Sequence, residues 1–489
     1  MSSLAIPESV SPIALPSAMQ LGSLPYSLPV DAMSWSVKIQ PTNMSQVQSG
    51  NITCTASTVL DVPFSSQNVI FDIPTNQSPD TFLDTRFTCL NFRATMTTTS
   101  AGTSSVLTSG YLRSSAYAWF DNMTVLGSVG NTLESCAEFG VVNDTLIAGQ
   151  MSNSARDGAL SMGLLSATGV DNQGHAWKNA TGYTLAGTTD VESHSYTIPL
   201  TSAVCGVLSN NFLNIGRLGR LQVIMQTAFQ LPVTITCGTA TAAGTIQFTL
   251  SDFSLSLEMV KIGASALRML DETLVNGLAY TSGITYRTAV SSMTNVSGSQ
   301  SILLGLRGSS IKSLFARFQD LGTVNATNSI NGKYDSKLPM LTSYNFSIAG
   351  IHFPQSQINP LLQGSQVFTE FMKALGSFNS SSYQCGITPS NYYKLAAGGT
   401  AQGATTSLQN QEWNLGSSAS AQCQFIIGQN TEIVARNGLF SGFSAVSSPI
   451  FLELQATVAP TNQLNVFGIC MLDVVYIHNV NTGTIDCRI

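Results

Sequence analysis

The sequence predicts an all-β protein built from two tandem antiparallel β-sandwich domains joined by a short helix. Three observations support this fold class. Short segments that alternate apolar and polar residues recur throughout the 489 residues, a pattern that favours antiparallel sandwiches over βαβ units. One helical pattern lies at the midpoint, and the strand pattern of the first half recurs in the second. A chain of this length is also too long for a single hydrophobic core.

The segment from Ile246 to Gly277 contains the change from strand to helix. Apolar residues alternate from Ile246 to Leu250, and the alternation resumes one residue out of phase after Asp252. This change of phase predicts a β-bulge inside one long strand. From Ser265 the apolar residues follow helical spacing, so a linker helix is expected, with Ser265 as its N-cap. Gly277 is the predicted stop, because glycine tolerates a positive φ.

Strand patterns cover most of the first half. Two other segments differ: Asn131–Gln150 predicts helix and turn, and Ser152–Thr189, rich in Gly, Ser, Asn and Thr, predicts a long loop. The predicted strands are Ser34–Ile39, Gly50–Leu60, Val69–Ile73, Phe82–Thr97, Ala116–Leu126, Ser195–Pro199, Leu221–Ala228 and Val233–Cys237.

The second half repeats this order of elements. A helical pattern covers Gln366–Leu375, and a Gly/Ser/Gln-rich stretch from Asn379 to about Ser420 predicts a second long loop. The predicted strands are Ile284–Ser292, Ser301–Leu306, Leu314–Gln319, Tyr344–Phe353, Pro449–Val458 and Asn465–Asn479.

Four elements of the two halves align in register. Val69–Ile73 corresponds to Ser301–Leu306, TCLNFRA to SLFARFQ, FDNMTVLG to NFSIAGIHF, and LQVIMQTA to IFLELQAT. The offset stays near 230 residues for all four pairs, and a nearly constant offset is typical of a duplicated domain. The sequence therefore predicts that one sandwich occurs twice.

The composition is unusually poor in charge. Only 9% of the residues are Asp, Glu, Lys or Arg, where soluble domains have about 25%. Such a surface suits burial against other protein, because interface cores are depleted in charge. It also fits a secreted Ser/Thr-rich β protein. The net charge is −6 and no basic run occurs, which argues against direct nucleic acid binding.

The first 28 residues predict an arm rather than a signal peptide. They lack a positive n-region, and Pro7, Pro12 and Pro16 interrupt the apolar residues. No segment has 18 uninterrupted apolar residues, so no membrane-spanning helix is expected. The nine cysteines are odd in number, and Cys89, Cys205, Cys423 and Cys470 lie in apolar runs. We therefore predict that the cysteines are free thiols and that the protein occupies a reduced intracellular compartment.

The sequence contains no recognisable catalytic, cofactor-binding or metal-binding motif. Asp190, Glu192 and His194 alternate on one predicted strand, where a solvated loop edge is the default interpretation. His352 is interpreted as a half-buried strand residue, and the segment 216–219 as a turn rather than a nucleotide-binding loop. We therefore expect no catalytic, cofactor-binding or metal-binding residues, no cofactor, and no enzyme activity.

Several segments resemble the double jelly-roll major capsid proteins of double-stranded DNA viruses, of the virophage, polinton-like and maverick type within the adenovirus-hexon lineage. VIFDIPTNQSPDTFLDTRFTCLNFRATM is similar to their early strand segment, and YAWFDNMTVLGSVGNTLESC to the strand pair that precedes a helical insert. IPLTSAVCGVLSNNFLNIGRLGRLQVIMQTA and SLEMVKIGASALRMLDETLVNG resemble the closing strand of their first barrel and its linker. SPIFLELQATVAPTNQLNVFGICMLDVVYIHN resembles their closing strand pair.

The resemblance implies two tandem antiparallel eight-stranded jelly rolls joined by a short helix, with small helical inserts. Its implied domains are an N-terminal arm at 1–28, a first jelly roll at 29–262, a linker helix at 263–277 and a second jelly roll at 278–489. The implied function is that of a structural major capsid protein. Homotrimers of it would form pseudo-hexagonal capsomers that tile an icosahedral virion shell.

The resemblance also implies partners and a location. The chain would bind itself, in the homotrimer and between neighbouring capsomers, and would meet penton and minor capsid or cement proteins, but not nucleic acid directly. The arm at 1–28 would lie on the inner side, where contact with an internal membrane is possible. The loops at 152–189 and 379–420 would form outward towers. The protein would be in the virion capsid, after assembly in the host cytoplasm or nucleus.

Two other functions fit parts of the sequence. A secreted β-sandwich adhesin or glycan-binding protein is consistent with the Ser/Thr richness and the ten Asn-x-Ser/Thr sequons. The lack of a signal-peptide pattern and the odd cysteine count argue against it. A polysaccharide-active enzyme would require two carboxylates that meet in a cleft, and sequence spacing does not report that distance.

Overall fold

The structure is a computed structural model, and the statements below concern the part of the chain that it describes. The predicted arm at 1–28, most of the predicted loop at 152–189 and nearly all of the predicted loop at 379–420 lie outside that part. The described residues are 32–54, 59–60, 64, 66–75, 77–100, 105–112, 115–150, 176–177, 183–185, 189–209, 211–230, 232–237, 244–274, 276–320, 334, 336, 339, 341–360, 362–376, 378, 387, 392, 425–432, 440–456 and 463–488.

Strands dominate the described chain. Three α-helices are described, α1 at Phe139–Gln150, α2 at Ala264–Thr273 and α3 at Gly364–Ala374, with a 3-10 turn at Ala116–Trp119. The strands are β1 Met33–Ile39, β2 Gln46–Gln48, β3 Ile52–Cys54, β4 Val59–Leu60, β5 Asn68–Ile73, β6 Thr81–Ser100, β7 Ser105–Leu112, β8 Phe120–Leu126, β9 Thr132–Cys136, β10 Ala176–Trp177, β11 Tyr183–Leu185, β12 Thr189–Pro199, β13 Leu221–Thr227, β14 Val233–Cys237, β15 Gly244–Lys261, β16 Leu278–Met293, β17 Gly298–Leu304, β18 Ile311–Asp320, β19 Leu341–Ile348, β20 Ile351–Ile358, β21 Ile426–Asn430, β22 Ile450–Ala456, β23 Leu464–Asn479 and β24 Thr484–Arg488.

The first half forms two facing sheets. Sheet 1a has the order β1-β15-β6-β12, and sheet 1b has the order β5-β13-β8-β9. The short strands β2 and β3 extend sheet 1a along β15. The eight main strands of the first half are those of the two sheet orders: β1, β5, β6, β8, β9, β12, β13 and β15. Numbered one to eight along the chain, they lie in the orders 1-8-3-6 in sheet 1a and 2-7-4-5 in sheet 1b. All of these pairs are antiparallel, and this is the jelly-roll arrangement of two Greek keys.

The second half has the same arrangement. Sheet 2a has the order β16-β23-β18-β21, with β24 paired to β23, and sheet 2b has the order β17-β22-β19-β20. Each strand occupies the place of its counterpart in the first half, so the predicted duplication is confirmed. All four sequence alignments between the halves match strands in equivalent places: β5 with β17, β6 with β18, β8 with β19 and β13 with β22.

The long strand at the middle of the chain contains the predicted irregularity. In the pairing of β15 with β6, the register shifts between Ser251 and Ser254, and Asp252 has a φ of 54°. The bulge exchanges the parity that faces the core: Phe248 and Leu250 are buried before it, and Phe253 and Leu255 after it. One strand can therefore remain in sheet 1a over its full length while keeping apolar residues on the inner face.

The linker helix α2 lies within the predicted segment, but its start differs from the prediction. Gly263, not Ser265, is the N-cap residue, and no side chain caps the helix. Leu267 and Leu270 pack against a small buried cluster that includes Phe82 and Phe212. The linker helix is thereby packed against the first jelly roll. Its end differs from the prediction too: the helix ends at Thr273 with Leu274 as the C-cap, so Gly277 is not its stop, although Gly277 has a positive φ of 71°.

Three strand predictions need correction. The predicted strand Tyr344–Phe353 is two strands, β19 and β20, which a turn at Ala349 and Gly350 joins. The segment 131–150 contains strand β9 as well as helix α1. Residues 116–119 form a 3-10 turn before β8. The reversal between β19 and β20 escapes the sequence pattern because Ala349 adopts a positive φ that sequence patterns assign to glycine.

A fifth sheet extends the first jelly roll, and sequence patterns predicted only parts of it. Sheet 1c has the order β10-β7-β14-β4, with β11 also paired to β7. Its strands come from four different connections, those before β5, between β6 and β8, between α1 and β12, and between β13 and β15. The segment 152–189 thus contributes β10 and β11, two short strands within a predicted loop.

The apolar core is continuous across both halves. A single cluster of buried residues includes interior residues of sheets 1a and 1b and those of sheets 2a and 2b. In the first jelly roll, Phe92 packs edge-on against Phe120 at 5.2 Å between ring centroids and stacks on Tyr196 at 5.2 Å. Aromatic pairs of this kind stabilise a core beyond the area that they bury. The two jelly rolls therefore share one packed interior.

Candidate functional site

The contact between the two jelly rolls, here called the junction, contains deeply buried polar side chains, among them Glu134 and Arg317. On the first half it comprises β9, the segment 200–209 and α1; on the second it comprises β16, β18 and β24. Backbone and side chains meet directly across it: Thr288 Oγ1 donates to Ala137 O at 2.6 Å, and Asn131 Nδ2 donates to Ile485 O at 2.8 Å. A hydrogen-bonded junction of this kind fixes how the two halves are oriented.

Glu134 on β9 is the central acid of the junction and is only 2% exposed. Its carboxylate accepts hydrogen bonds from Ser202 Oγ at 2.5 Å and from the Ala203 amide at 3.0 Å. From the second half, Thr285 Oγ1 donates to it at 2.8 Å. Burial raises the pKa of this carboxyl, and the hydrogen bonds lower it in part. Glu134 therefore connects a strand and a loop of one jelly roll to a strand of the other.

Arg317 on β18 is the central base of the junction, with 1% of its surface exposed. Its Nη1 lies 2.8 Å from Asp144 Oδ2 on α1 and also donates to Val141 O and Thr145 Oγ1 at 3.2 and 2.9 Å. Its Nη2 donates to Tyr334 O at 3.0 Å. A buried guanidinium with an anion and several carbonyl acceptors is the arrangement in which a buried charge is tolerated.

Two glycines let α1 approach the second half closely. A Cβ at Gly140 would lie 2.5 Å from Tyr334 Oη, and one at Gly149 would lie 2.2 Å from Leu375 Cδ1. Both distances are shorter than real Cβ contacts, so a side chain at either position would require Tyr334 or Leu375 to shift. This close approach explains why ten of the twelve residues of α1 are buried.

A second buried ionic cluster lies inside the second jelly roll. Lys312 Nζ is 3.1 Å from Asp473 Oδ1 and 3.3 Å from Glu432 Oε1, and all three side chains are at most 10% exposed. Ser310 Oγ donates to Asp473 Oδ2 at 2.7 Å, and Ser441 Oγ donates to the Glu432 carboxylate. The cluster joins β18, β23 and the segment after β21. Its groups are all paired, which indicates a structural role.

The residues singled out in the sequence do not converge. Asp190, Glu192 and His194 lie on β12, where they pair with Thr98, Met96 and Ala94 of β6, so they belong to a strand of sheet 1a and not to a loop edge. His352 is exposed rather than half-buried, with Nδ1 3.5 Å from Glu453 Oε2. Residues 216–217 form the predicted turn. Within the described residues, no group of three or more His, Cys, Asp or Glu side chains could hold a metal ion.

Five cysteines whose side chains the structure describes are free: Cys89, Cys136, Cys205, Cys470 and Cys487. Cys423, which the sequence also predicted to be free, lies outside the described residues. Burial raises the pKa of Cys205 and of Cys470 to about 12 and that of Cys136 further. Thiols with such pKa values are poor nucleophiles. Among the described helices, none has both the length and the apolar character needed to cross a bilayer.

The outer face of sheet 1a, here called the open face, consists mainly of uncharged hydroxyl and amide side chains. Thr95 Oγ1 and Ser193 Oγ share a hydrogen bond of 2.9 Å, and Asn91 links Thr197 to Ser256. The exposed Arg93 pairs with Asp252 at the bulge, at 3.2 Å. A charge-poor, flat face of this kind has the composition of a protein contact surface. Its composition is readable from the alternation in the sequence.

Comparisons with known proteins identify the fold. No family model and no curated protein matches the sequence. Among solved structures, a chain of the Sputnik virophage cryo-EM structure aligns with a TM-score of 0.55 at 12% identity, over 100% of this chain and 95% of that one. The mavirus major capsid protein aligns with a TM-score of 0.53 at 11% identity, over 99% and 97% of the two chains.

A third structure, the Faustovirus major capsid protein, aligns with a TM-score of 0.51 at 10% identity, over 97% of this chain and 92% of that chain. All three likenesses span both halves of the chain. The predicted resemblance to double jelly-roll major capsid proteins is therefore confirmed in the fold, and the fold class is confirmed with it.

Proposed function

We propose that this chain, which has the double jelly-roll fold of viral major capsid proteins, is itself a major capsid protein. In this proposal, three copies form a pseudo-hexagonal capsomer, and capsomers tile an icosahedral shell. The observation that supports it most is the likeness to the mavirus and Faustovirus capsid proteins over nearly their full lengths. A match of that extent includes both jelly rolls, the linker and their order.

The junction is consistent with a mechanical role. Glu134, Arg317 and their partners hold two eight-stranded barrels as one unit. A tile must keep its shape under lateral load, and a shared core with buried, hydrogen-bonded polar groups resists a change in the angle between the barrels. The function proposed here is structural, with no catalytic, cofactor-binding or metal-binding residue assigned.

The low charge of the surface supports assembly with other protein. A chain with 9% charged residues can bury wide surfaces without removing many ions from water, a step whose cost can exceed the gain from pairing the ions. Self-association is therefore the first interaction proposed, in the trimer and between capsomers. Penton and minor capsid or cement proteins are the further partners, and direct nucleic acid binding is not proposed.

The remaining assignments follow from the same proposal. The arm at 1–28 would lie on the inner side of the shell, near minor proteins or an internal membrane. The connections at 152–189 and 379–420 would form the outward towers. The domain boundaries proposed are 29–262 and 278–489 for the jelly rolls, with the linker helix at 263–277. The location proposed is the virion capsid, after assembly in the cytoplasm or nucleus of the host.

Light scattering on the purified chain tests the proposal. The expected mass is three times 51.7 kDa, unchanged between low and high salt, because an interface of mainly uncharged surface is insensitive to screening. A monomer of 51.7 kDa at both salt concentrations would contradict the trimer. Glycan-binding screens would then be the next measurement, since a monomeric secreted adhesin predicts that result.

A further inference from the structure

We propose that the second jelly roll closes itself with a covalent bond, an amide between the side chains of Lys312 on β18 and Asp473 on β23. The site is the buried ionic cluster of Lys312, Asp473 and Glu432, which contains an amine, a carboxyl group and a second carboxyl group that can carry protons. The chain would react once with itself and would turn over no substrate. The bond lies within one chain, so it goes beyond the proposed assembly and does not require three copies to associate.

Lys312 reaches the carboxylate because its strand is irregular at this point. In the pairing of β18 with β23, the register shifts between Ile311 and Ser313, so that Lys312 is an extra residue. A β-bulge of this kind redirects a side chain, and bulges are common beside reactive sites. Lys312 Nζ lies 3.1 Å from Asp473 Oδ1. The two groups that would react are therefore already in contact.

The segment 440–445 packs directly on β18 beside the cluster. Ile311 and Phe443 exchange two backbone hydrogen bonds, of 2.8 and 2.9 Å, and a Cβ at Gly442 would lie 2.4 Å from the backbone of Ile311. The three side chains of the cluster are between 3% and 10% exposed. Surroundings that exclude water disfavour charged groups of either sign, so a proton passes from an ammonium to a carboxylate at less cost than in solution.

Glu432 and Ser310 make the two further contacts that the reaction needs. Glu432 Oε1 is 3.3 Å from Lys312 Nζ, close enough to take the protons that the amine must lose. Ser310 Oγ donates to Asp473 Oδ2 at 2.7 Å, and this hydrogen bond stabilises the negative charge that develops on Oδ2 when the carboxyl carbon is attacked. The Gly442 amide donates to Ser310 Oγ at 3.0 Å, which orients the hydroxyl proton towards the carboxyl group.

The reaction is a condensation whose atoms balance within the cluster. The bond between Lys312 Nζ and Asp473 Cγ forms, and the bond between Cγ and Oδ1 breaks. Nζ loses two protons and Oδ1 gains two, carried by Glu432, so Oδ1 leaves as water and Glu432 ends in its starting state. An ammonium and a carboxylate become a neutral amide, with no oxidant or reductant. Contact between the two groups replaces an encounter in solution, which favours a reaction that free ions do not undergo.

The bond would give the second jelly roll a covalent link between two neighbouring strands. Strands β18 and β23 lie side by side in sheet 2a, and they are far apart in the chain. A link of this kind closes a long loop and restricts the unfolded chain, as a disulfide does. It would also replace a buried ion pair with a neutral group and so remove the cost of keeping two charges out of water.

Mass spectrometry of the purified, denatured chain tests the proposal. The expected mass is lower than the mass of the sequence by one water molecule. Trypsin does not cleave after an acylated lysine, so a branched peptide should join the segments that contain Lys312 and Asp473. The matched control is Lys373, whose Nζ lies 2.7 Å from Glu370 Oε1 but whose side chain is 43% exposed. That pair should stay unlinked, and trypsin should cleave after Lys373.

Two variants separate the covalent bond from the ion pair. Lys312→Arg keeps the positive charge but removes the amine, and Glu432→Gln keeps the size of the side chain but cannot carry the protons. Both should have the full mass of their sequences, whereas Lys373→Arg should still lack one water molecule. Loss of water in Lys312→Arg would place the bond elsewhere, and its loss in Glu432→Gln would exclude Glu432 as the proton carrier.

The unmodified chain decides the proposal even where a variant fails to fold. Its full sequence mass after prolonged incubation of the folded protein, together with trypsin cleavage after Lys312, would overturn the proposed bond. The result is independent of the mass in light scattering. A monomeric chain that contains the branched peptide would contradict the proposed trimer and support the bond, and a trimer without the peptide would do the reverse.

Discussion

Removing the Arg317 cation is expected to destabilise the protein more than any exposed ion pair does. Arg317→Met leaves the Asp144 carboxylate on α1, whose side chain is 7% exposed, buried without its counter-ion. Breaking a buried pair from one side costs about 3–5 kcal/mol, because an uncompensated charge remains in a site that excludes water. Four hydrogen bonds from the guanidinium are lost as well, which places the expected value at the upper end.

The two further variants of a double-mutant cycle make this argument quantitative. Asp144→Leu removes the anion, but Arg317 keeps the carbonyl oxygens of Val141 and Tyr334 as acceptors, so a smaller loss is expected. The double variant Arg317→Met with Asp144→Leu should lose less than the sum of the single losses, because the desolvation of both charges is relieved together.

Urea denaturation at one fixed protein concentration is the measurement, since association shifts the apparent stability of an oligomer. The matched control is Arg268→Met, which breaks the exposed i,i+4 pair with Glu272, where the side chains are 83% and 66% exposed. That variant should stay within about 0.5 kcal/mol of the unmodified protein. An effect of Arg317→Met below about 1 kcal/mol, or strictly additive effects in the cycle, would refute the argument.

Two further predictions concern the junction acid and a tight turn. Burial raises the pKa of Glu134 above its ordinary 4.5, so the folded state holds the carboxyl proton more tightly than the unfolded state does. The contribution of this carboxyl to the free energy of unfolding is therefore present at acid pH and is lost as pH rises through the raised pKa. Thermal unfolding across a pH series should therefore show Glu134→Gln gaining stability relative to the unmodified protein as pH rises; a constant difference would contradict this. Gly216→Ala should lose about 1–3 kcal/mol, because its Cβ would lie 2.0 Å from the Ser78 carbonyl oxygen. Gly50→Ala, with no atom within 4 Å of the added carbon, is the control, and equal melting temperatures for the two variants would contradict the steric argument.

Much of the architecture was predictable from local alternation. The bulge at Asp252 was predictable because the apolar positions of this strand change from even to odd numbers there. The duplication was predictable because matching segments of the two halves are separated by a nearly constant number of residues. The reversal at Ala349 and Gly350 was not predictable, because apolar residues on both sides continue one strand pattern. Short strands such as β24 were missed because five residues contain too little alternation to stand out.

The junction residues could not have been predicted from the sequence. Glu134 stands between Leu133 and Ser135 in a segment interpreted as helix and turn, and nothing local indicates that it is buried. Its hydroxyl partners are 68 and 151 residues away in the chain. Arg317 interrupts the apolar pattern of β18 and reads as an outward-facing residue, which it is with respect to its own barrel. Only the packing of one barrel against the other turns an outward residue into a buried one.

The order in which a ribosome delivers these partners has a consequence for biosynthesis. Strand β1 pairs with the last strand of its own barrel, out to Lys261, so the first jelly roll cannot close until more than half of the chain has been made. Asp144 then precedes Arg317 by 173 residues, which at about 5–20 residues per second is roughly 9–35 s of translation. During that interval Asp144 has no Arg317 to pair with. The first barrel thus serves as the template on which the second folds, and chaperones have their longest access to the chain before the second barrel docks.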